Sequence, residues 1–255
     1  MIFNLDSGGG KMAEDKVEFS GSKLWYQDSA TGDWELALLS SGTLRFKATV
    51  GNVDIFMVGP GDNGSSGRSN SASDVYGGDG GNGGEIVNQS SRLNLGRRYT
   101  VTIGDPGEVT RLTDAINVDI SAQSGAGVVG GKGGHVLNNA QARYGPNKDG
   151  LNLDGALAFN GDNTMISSLT GTKFGAGGGG ARCSAYYSNN YYPSSGGSTS
   201  GGDTGGGSGG GADSAGNSAT PNTGSGGGGG GDYGGASYSG GAGATGIVMI
   251  RNHRG

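Results

Sequence analysis

The residues best suited to chemistry in this sequence are tyrosines and their polar neighbours. The run Arg182-Cys183-Ser184-Ala185-Tyr186-Tyr187-Ser188-Asn189-Asn190-Tyr191-Tyr192-Pro193-Ser194-Ser195 holds four of the ten tyrosines, with Asn189 and Asn190 between the pairs. Tyrosine offers a large contact area with few rotatable bonds, and Ser and Asn add adaptable hydrogen bonding, which together make a recognition surface. Two further stretches have the same character: Asp232 to Ser239, carrying Tyr233 and Tyr238, and Asn138 to Asn147, carrying Tyr144. The competing reading of the tyrosines is a hydrophobic lid over the glycine-rich segments around them.

Catalytic chemistry has little to work with. His135 and His253 are the only histidines, and neither stands in a motif with Cys183 or a serine that would make a nucleophile and base. No carboxylate is singled out by spacing for glycoside hydrolysis. Gly131-Lys132 lacks the Ser/Thr that follows lysine in a phosphate-binding loop. Gly77-Gly78-Asp79-Gly80-Gly81-Asn82-Gly83-Gly84 is superficially like a nonapeptide calcium repeat, but the period is not sustained. Asp79 and Asn82 read instead as solvent-facing positions of a glycine helix. The expectation is a binding protein, not an enzyme, with no cofactor and no metal, and a calcium-dependent extracellular binding protein as one alternative.

What must position the tyrosines is glycine, 61 residues of it. The tracts run from Gly61 to Gly84, from Gly125 to Gly134, from Gly175 to Gly180, from Gly201 to Gly211, and through six consecutive glycines from Gly226 to Gly231. Such sequence is either a flexible coil or a polyglycine II helix, with three residues per turn and no internal hydrogen bonds. Those helices pack side by side only where nothing larger than hydrogen stands at the contact, and their backbone groups bond between helices. Strand-like segments bracket the tracts: Thr43 to Ala48, Val53 to Val58, Arg98 to Ile103, Val109 to Leu112, Ala115 to Ile120 and Ile247 to Ile250. A structureless loop of this length inside a compact domain is improbable, so the tracts are predicted to form a packed layer beside a β-sandwich. No amphipathic helix of convincing length is present.

Before residue 40 the character differs. Lys23-Leu24-Trp25-Tyr26 and Trp34-Glu35-Leu36-Ala37-Leu38-Leu39 flank a Gly/Asp/Ser turn and read as a hairpin. Its aromatic residues Trp25, Tyr26 and Trp34 are either a small core or a docking surface for a partner. The division is therefore residues 1–39 as a hairpin or attachment module and 40–255 as the glycine-rich domain.

Composition sets the limits. With 32% hydrophobic and 7% aromatic residues, a conventional core cannot serve the whole chain. A net charge of −5 without a basic tract excludes nucleic acid as the expected partner. No apolar run approaches the roughly 20 residues of a membrane span, so no membrane insertion is expected. The start, Met1-Ile2-Phe3-Asn4-Leu5-Asp6, does not read as a signal peptide. Cys183 is alone, which excludes an intrachain disulfide.

The order Ser41-Gly42-Thr43-Leu44, Val53 to Gly59, Tyr99 to Gly104 and Gly130-Gly131-Lys132-Gly133-Gly134, closing with Thr220 to Gly231 and Gly240 to Arg251, resembles the glycine-rich domain of phage and prophage tail-fibre proteins. The resemblance covers roughly residues 40 to 251. It is similar in style to polyglycine tip adhesins and, more distantly, to the glycine-rich domain of anaplastic lymphoma kinase receptors. Gly59-Pro60-Gly61-Asp62 departs from the longer glycine run of the pattern and leaves the number of helices in the first tract open. The resemblance implies a mainly β fold: a jelly-roll or tumour-necrosis-factor-like β-sandwich with inserted polyglycine II helices and little or no α-helix. It also implies a place in the virion and attachment to a bacterial surface receptor, an outer-membrane protein or a saccharide. The other partner would be a tail-fibre shaft protein or two further copies in a trimer, and a structural fibre cap is the alternative role.

Overall fold

The computed structural model describes residues 12–114, 116–137, 153–162, 164–187, 190–193 and 205–254. The chain first builds β1 (Val17–Phe19), β2 (Lys23–Gln27), β3 (Trp34–Leu38), β4 (Gly42–Phe46) and β5 (Gly51–Val58). It then leaves along a glycine tract, forms the hairpin β6 (Arg68–Ser71) and β7 (Asp74–Tyr76), and returns along a second tract. There follow β8 (Ile86–Leu93), β9 (Arg98–Thr102), β10 (Val109–Thr113) and β11 (Asp119–Gln123). Short outlying strands come next: β12 (His135–Leu137), β13 (Cys183–Tyr187), β14 (Asn190–Pro193), β15 (Asp232–Tyr233) and β16 (Ala236–Ser237). The last strand, β17 (Ile247–Asn252), returns to the body. The only helical pieces among the described residues are single 3-10 turns.

Two five-stranded antiparallel sheets face each other, ordered β1-β4-β9-β10-β11 and β2-β3-β17-β5-β8. The first shows the alternation of a half-buried sheet, with Tyr99, Val101, Ile120 and Ala122 turned inward and their neighbours exposed. The second is covered on both faces, so β3 and β17 are buried nearly throughout. Leu36, Leu38, Val53, Ile55, Val248 and Ile250 pack toward the first sheet. Ala37, Phe56, Ile247 and Met249 pack outward under Phe159, Ile166 and Phe174.

The hairpin expected from residues 23 to 39 forms as β2 and β3, but β3 also pairs with β17 from Glu35↔Arg251 to Leu38↔Val248. The hairpin thus extends the sandwich sheet. The stretch from Ala115 to Ile120 divides differently from expectation, because β11 starts only at Asp119. Residues 116–118 turn instead, each giving its N–H to Asp114 Oδ1 at 2.8–2.9 Å. Arg97 reaches the same carboxylate at 2.7 Å, and these bonds hold it well below the usual carboxylate range.

The glycine tracts form a lattice. Among the described residues there are eight: tract 1 (59–67), tract 2 (77–85), tract 3 (125–134), tract 4 (175–182), tract 5 (205–211), tract 6 (214–220), tract 7 (224–231) and tract 8 (238–246). Tract 7 is the centre. Its N–H groups point in turn to three neighbours: Gly226 and Gly229 to tract 4, Gly227 and Gly230 to tract 1, Gly228 and Gly231 to tract 6. Its carbonyls accept from tract 2 (Gly78, Gly81), tract 5 (Gly207, Gly210) and tract 8 (Gly241, Ala244), all at 2.7–3.0 Å. The six neighbours also bond to one another in a closed ring of tracts 1, 2, 4, 5, 6 and 8, through Asp62→Asn82, Gly178→Gly81, Gly179→Gly207, Asn217→Ser208, Gly216→Ser239 and Gly61→Ala244. This is the hydrogen bonding of three-fold helices, each residue of a turn addressing its own neighbour. A helix enclosed on all sides has no edge left for a side chain, which is why the longest unbroken glycine run is here.

Tract 3 lies outside the ring against tracts 2 and 4. Tract 2 reads Gly-Gly-Asp, Gly-Gly-Asn, Gly-Gly-Glu; the Asp79 side chain is 45% exposed, as the sequence suggested, but every third residue also bonds to a neighbouring backbone. Asp79 accepts from Gly133 N at 2.8 Å, Asn82 from Gly130 N at 2.9 Å and Glu85 from Gln123 N at 2.9 Å. Side chains three residues apart so replace carbonyls as acceptors. Asp79→Ala removes one acceptor and the Lys132 contact at 2.8 Å. The expected cost is about 1 kcal/mol in urea unfolding, with faster exchange of the Gly133 amide.

Candidate functional site

A cap of short strands stands at the end of the lattice remote from the sandwich. Tract 1 carries the chain from β5 out to β6, a distance of about 25 Å at the rise of such helices. Two small sheets form there, β12-β7-β6 and β14-β13-β15-β16. They pack through Val75, Val136, Cys183 and Ala185, all fully buried. Because Cys183 and Ala185 face this core, the alternation of β13 turns Ser184, itself buried, and Tyr186 to the opposite face. Tyr233 is the register partner of Ser184 in the adjoining β15, so it shares that face. Tyr186 and Tyr233 are 39% and 37% exposed, and no other described aromatic ring is as open.

Their backbones are fixed. Tyr186 N bonds to Ala72 O at 2.8 Å, tying β13 to the β6–β7 turn. Tyr233 precedes Gly234 and Gly235, which hold φ of 58° and 97°. Two positive values in a two-residue hairpin make a type I′ turn, which glycine adopts without strain. The fully buried Asp232 accepts from Gly235 N at 3.1 Å and Ser237 Oγ at 2.6 Å, locking the turn.

The sheet β12-β7-β6 carries a pillar of stacked groups on the face turned away from Val75 and Val136. The ring of Tyr76 lies between the Arg68 guanidinium, 4.5 Å from its centroid, and the His135 imidazole, 4.0 Å away and tilted by only 5°. His135 Nε2 meets Asp74 Oδ1 at 2.9 Å, and Asn70 Nδ2 donates to the other carboxylate oxygen at 2.7 Å. The Asn70 bond first, then His135, hold the Asp74 carboxyl below its ordinary value. Cys183 Sγ donates to Val75 O at 3.4 Å, so thiol and imidazole are each engaged elsewhere.

The structure brings most of the expected recognition residues to one end. Tyr186 pairs with Tyr191, Tyr187 with Asn190 and Ala185 with Tyr192 across β13 and β14. Tyr238 is half-buried, and its backbone belongs to the lattice through Gly231 O and Gly67 N. Asn189 and Tyr144 lie outside the described residues. At the opposite end, Trp34 is 2% exposed and stacks on Trp25 at 5.6 Å, so its ring belongs to the core. Trp25 and Tyr26 keep part of their surface open. The pillar residues Arg68, Asp74, Tyr76 and His135 were not singled out from sequence as partners. Their one signal is position, since Arg68 follows a tract, Tyr76 precedes one and His135 follows one.

Among the described residues no group of three or more His, Cys, Asp or Glu could hold a metal ion. The architecture is a β-sandwich carrying a hydrogen-bonded glycine lattice, with a small stranded cap at its far end. The match of residues 39–253 to the glycine-rich domain family model means that the chain belongs to that family. No curated protein matched the sequence. The folded unit extends past the matched segment, since β1, β2 and β3, all before residue 39, complete the two sheets.

Proposed function

We propose that this chain is a receptor-binding protein of a phage tail fibre, holding a bacterial surface receptor with its tyrosine-bearing cap. The observation that carries this reading is the exposure of Tyr186 and Tyr233 on one face of a cap held about 25 Å from the sandwich. A lattice bonded in three directions is a stiff base, and a surface fixed before binding loses little entropy when it docks. The order of strands and tracts, similar to that of phage tail-fibre proteins, supports the biological setting. At the other end Leu95 and Ile116 stand 56% and 73% exposed on turns joined by Arg97 and Asp114, which suits attachment to a fibre shaft or to further copies.

The test is retention of the purified chain on whole bacterial cells. Tyr186→Ser with Tyr233→Ser should lower affinity about 30-fold or more, the effect of losing an interface hot spot. Equal retention of both proteins at matched stability would sink the reading and favour a structural fibre cap.

A further inference from the structure

A second concave site lies on the outer face of the sandwich, far from the cap. Its volume is about 470 Å³, and its walls come from β5, β8, the end of β17 and the segment 159–162. In the middle row, Arg251 pairs with Asp54 across β17 and β5, and Asp54 pairs with Ser90 across β5 and β8. The Arg251 side chain is 5% exposed. Its Nη2 donates to Asp162 at 2.8 Å, its Nε lies 3.4 Å from Asp54, and its plane covers Phe159 at 4.1 Å.

Three facts have no structural purpose in the folded chain alone. Arg251 Nη1 is buried without a hydrogen-bond partner. Asn88 Oδ1, in the adjoining row of the same face, is buried without one as well. Buried polar groups are nearly always paired, so two in one cleft indicate something that pairs them. The wall that covers them is strained: Phe159 and Asn160, neither a glycine, hold φ of 51° and 58° in succession. Backbone held in that region concentrates at binding sites.

The two unpaired groups set the chemistry of the occupant. One is an N–H donor and the other a carbonyl acceptor, so the complementary function both accepts and donates, as a hydroxyl does. Charge adds little, because Arg251 is already matched by Asp54 and Asp162, and His253 Nδ1 meets Asp54 at 2.6 Å. Ser90 Oγ, 2.8 Å from Asp54, and Gln89 extend the polar lining.

We propose that this cleft binds an uncharged saccharide, its hydroxyls pairing with Arg251 Nη1 and Asn88 Oδ1. The site is separate from the cap and does not depend on what the cap recognises. The experiment is saturation-transfer NMR of the full chain with glucose, galactose, mannose and N-acetylglucosamine, one at a time. At least one sugar should give a saturable signal. Asn88→Ala should weaken it about tenfold or more while leaving the melting temperature in place, because Asn88 is only half-buried and its oxygen bonds to nothing in the fold. The Tyr186→Ser, Tyr233→Ser protein should bind the sugar as the parent does. Absence of a saturable signal for all four sugars, an unchanged affinity in Asn88→Ala, or loss of binding in the tyrosine variant would overturn the proposal.

Discussion

Gly229→Ala should destabilise the protein by upward of about 3 kcal/mol and lower its melting temperature by roughly 10 °C, or leave it insoluble. A Cβ at this position would stand 2.0 Å from Gly78 O, inside any permitted contact. The obstacle is backbone, so no side-chain rotation relieves it. Tract 2 would have to move away, and Gly78→Gly230 and Gly81→Gly227 with it. Gly211→Ala is the matched control. Its Cβ meets only Ser214 Oγ at 3.2 Å and Asp213 Oδ1 at 3.4 Å, both on side chains that can turn. Alanine also restricts the unfolded chain, so the change there should stay within about 1 kcal/mol of neutral. Circular-dichroism melts of the two proteins side by side decide it; similar melting temperatures would mean that the lattice is not close-packed in solution.

Trp34→Ala should cost about 3–5 kcal/mol, the range for deleting a buried tryptophan. Its ring contacts Trp25, stacked at 5.6 Å, and Phe46, tilted at 6.1 Å, and its removal leaves a cavity in a close-packed core. Its backbone N–H is also held by Asn252 Oδ1 at 2.8 Å, tying the start of β3 to the end of β17. Trp25→Ala removes the partly exposed member of the pair and should cost distinctly less in guanidinium unfolding. If the two substitutions were equally mild, Trp34 would have to be reachable from outside, and the docking reading of this hairpin would regain its third residue.

The sequence carried the parts of this fold that obey a simple period. Val53 to Val58 reads as apolar strand because both its faces are covered, and Tyr99 to Ile103 alternates because only one is. Gly226 to Gly231 showed that a close-packed helix was needed. Asp79, Asn82 and Glu85 recur at every third position of tract 2, a spacing that takes its meaning only from the amides of Gly133, Gly130 and Gln123 they accept from. What stayed hidden has no period of its own. Ile86 to Leu93 is an edge strand with its polar middle half exposed, and its residues Asn88 to Arg92 look like loop. Arg68 to Ser71 is a polar hairpin strand that exists because two lattice helices end beneath it. Glu35 breaks an apolar run yet is fully buried, accepting from Thr164 Oγ1 and from Met165 N at 2.9 Å, and burial pushes its carboxyl up. The candidate site was legible as a cluster of tyrosines, but which rings share an outward face depends on the parallel pairing of β13 with β15. That pairing joins residues some fifty positions apart through a lattice whose geometry no local pattern encodes.

The central position of tract 7 also has a kinetic meaning. Residues 224–231 and β17 reach the middle of the structure only after nearly everything that surrounds them has been synthesised, and Trp34 waits for Asn252 across 218 positions of chain. Closing contacts over such separations is slow, because the loop entropy is spent before the bonds repay it. The same property acts in reverse once the ring has closed around its axis. None of the six ring helices can peel away without breaking bonds to the centre, so opening of the ring is expected to be rare and cooperative, and proteases should find few partly open forms to cut.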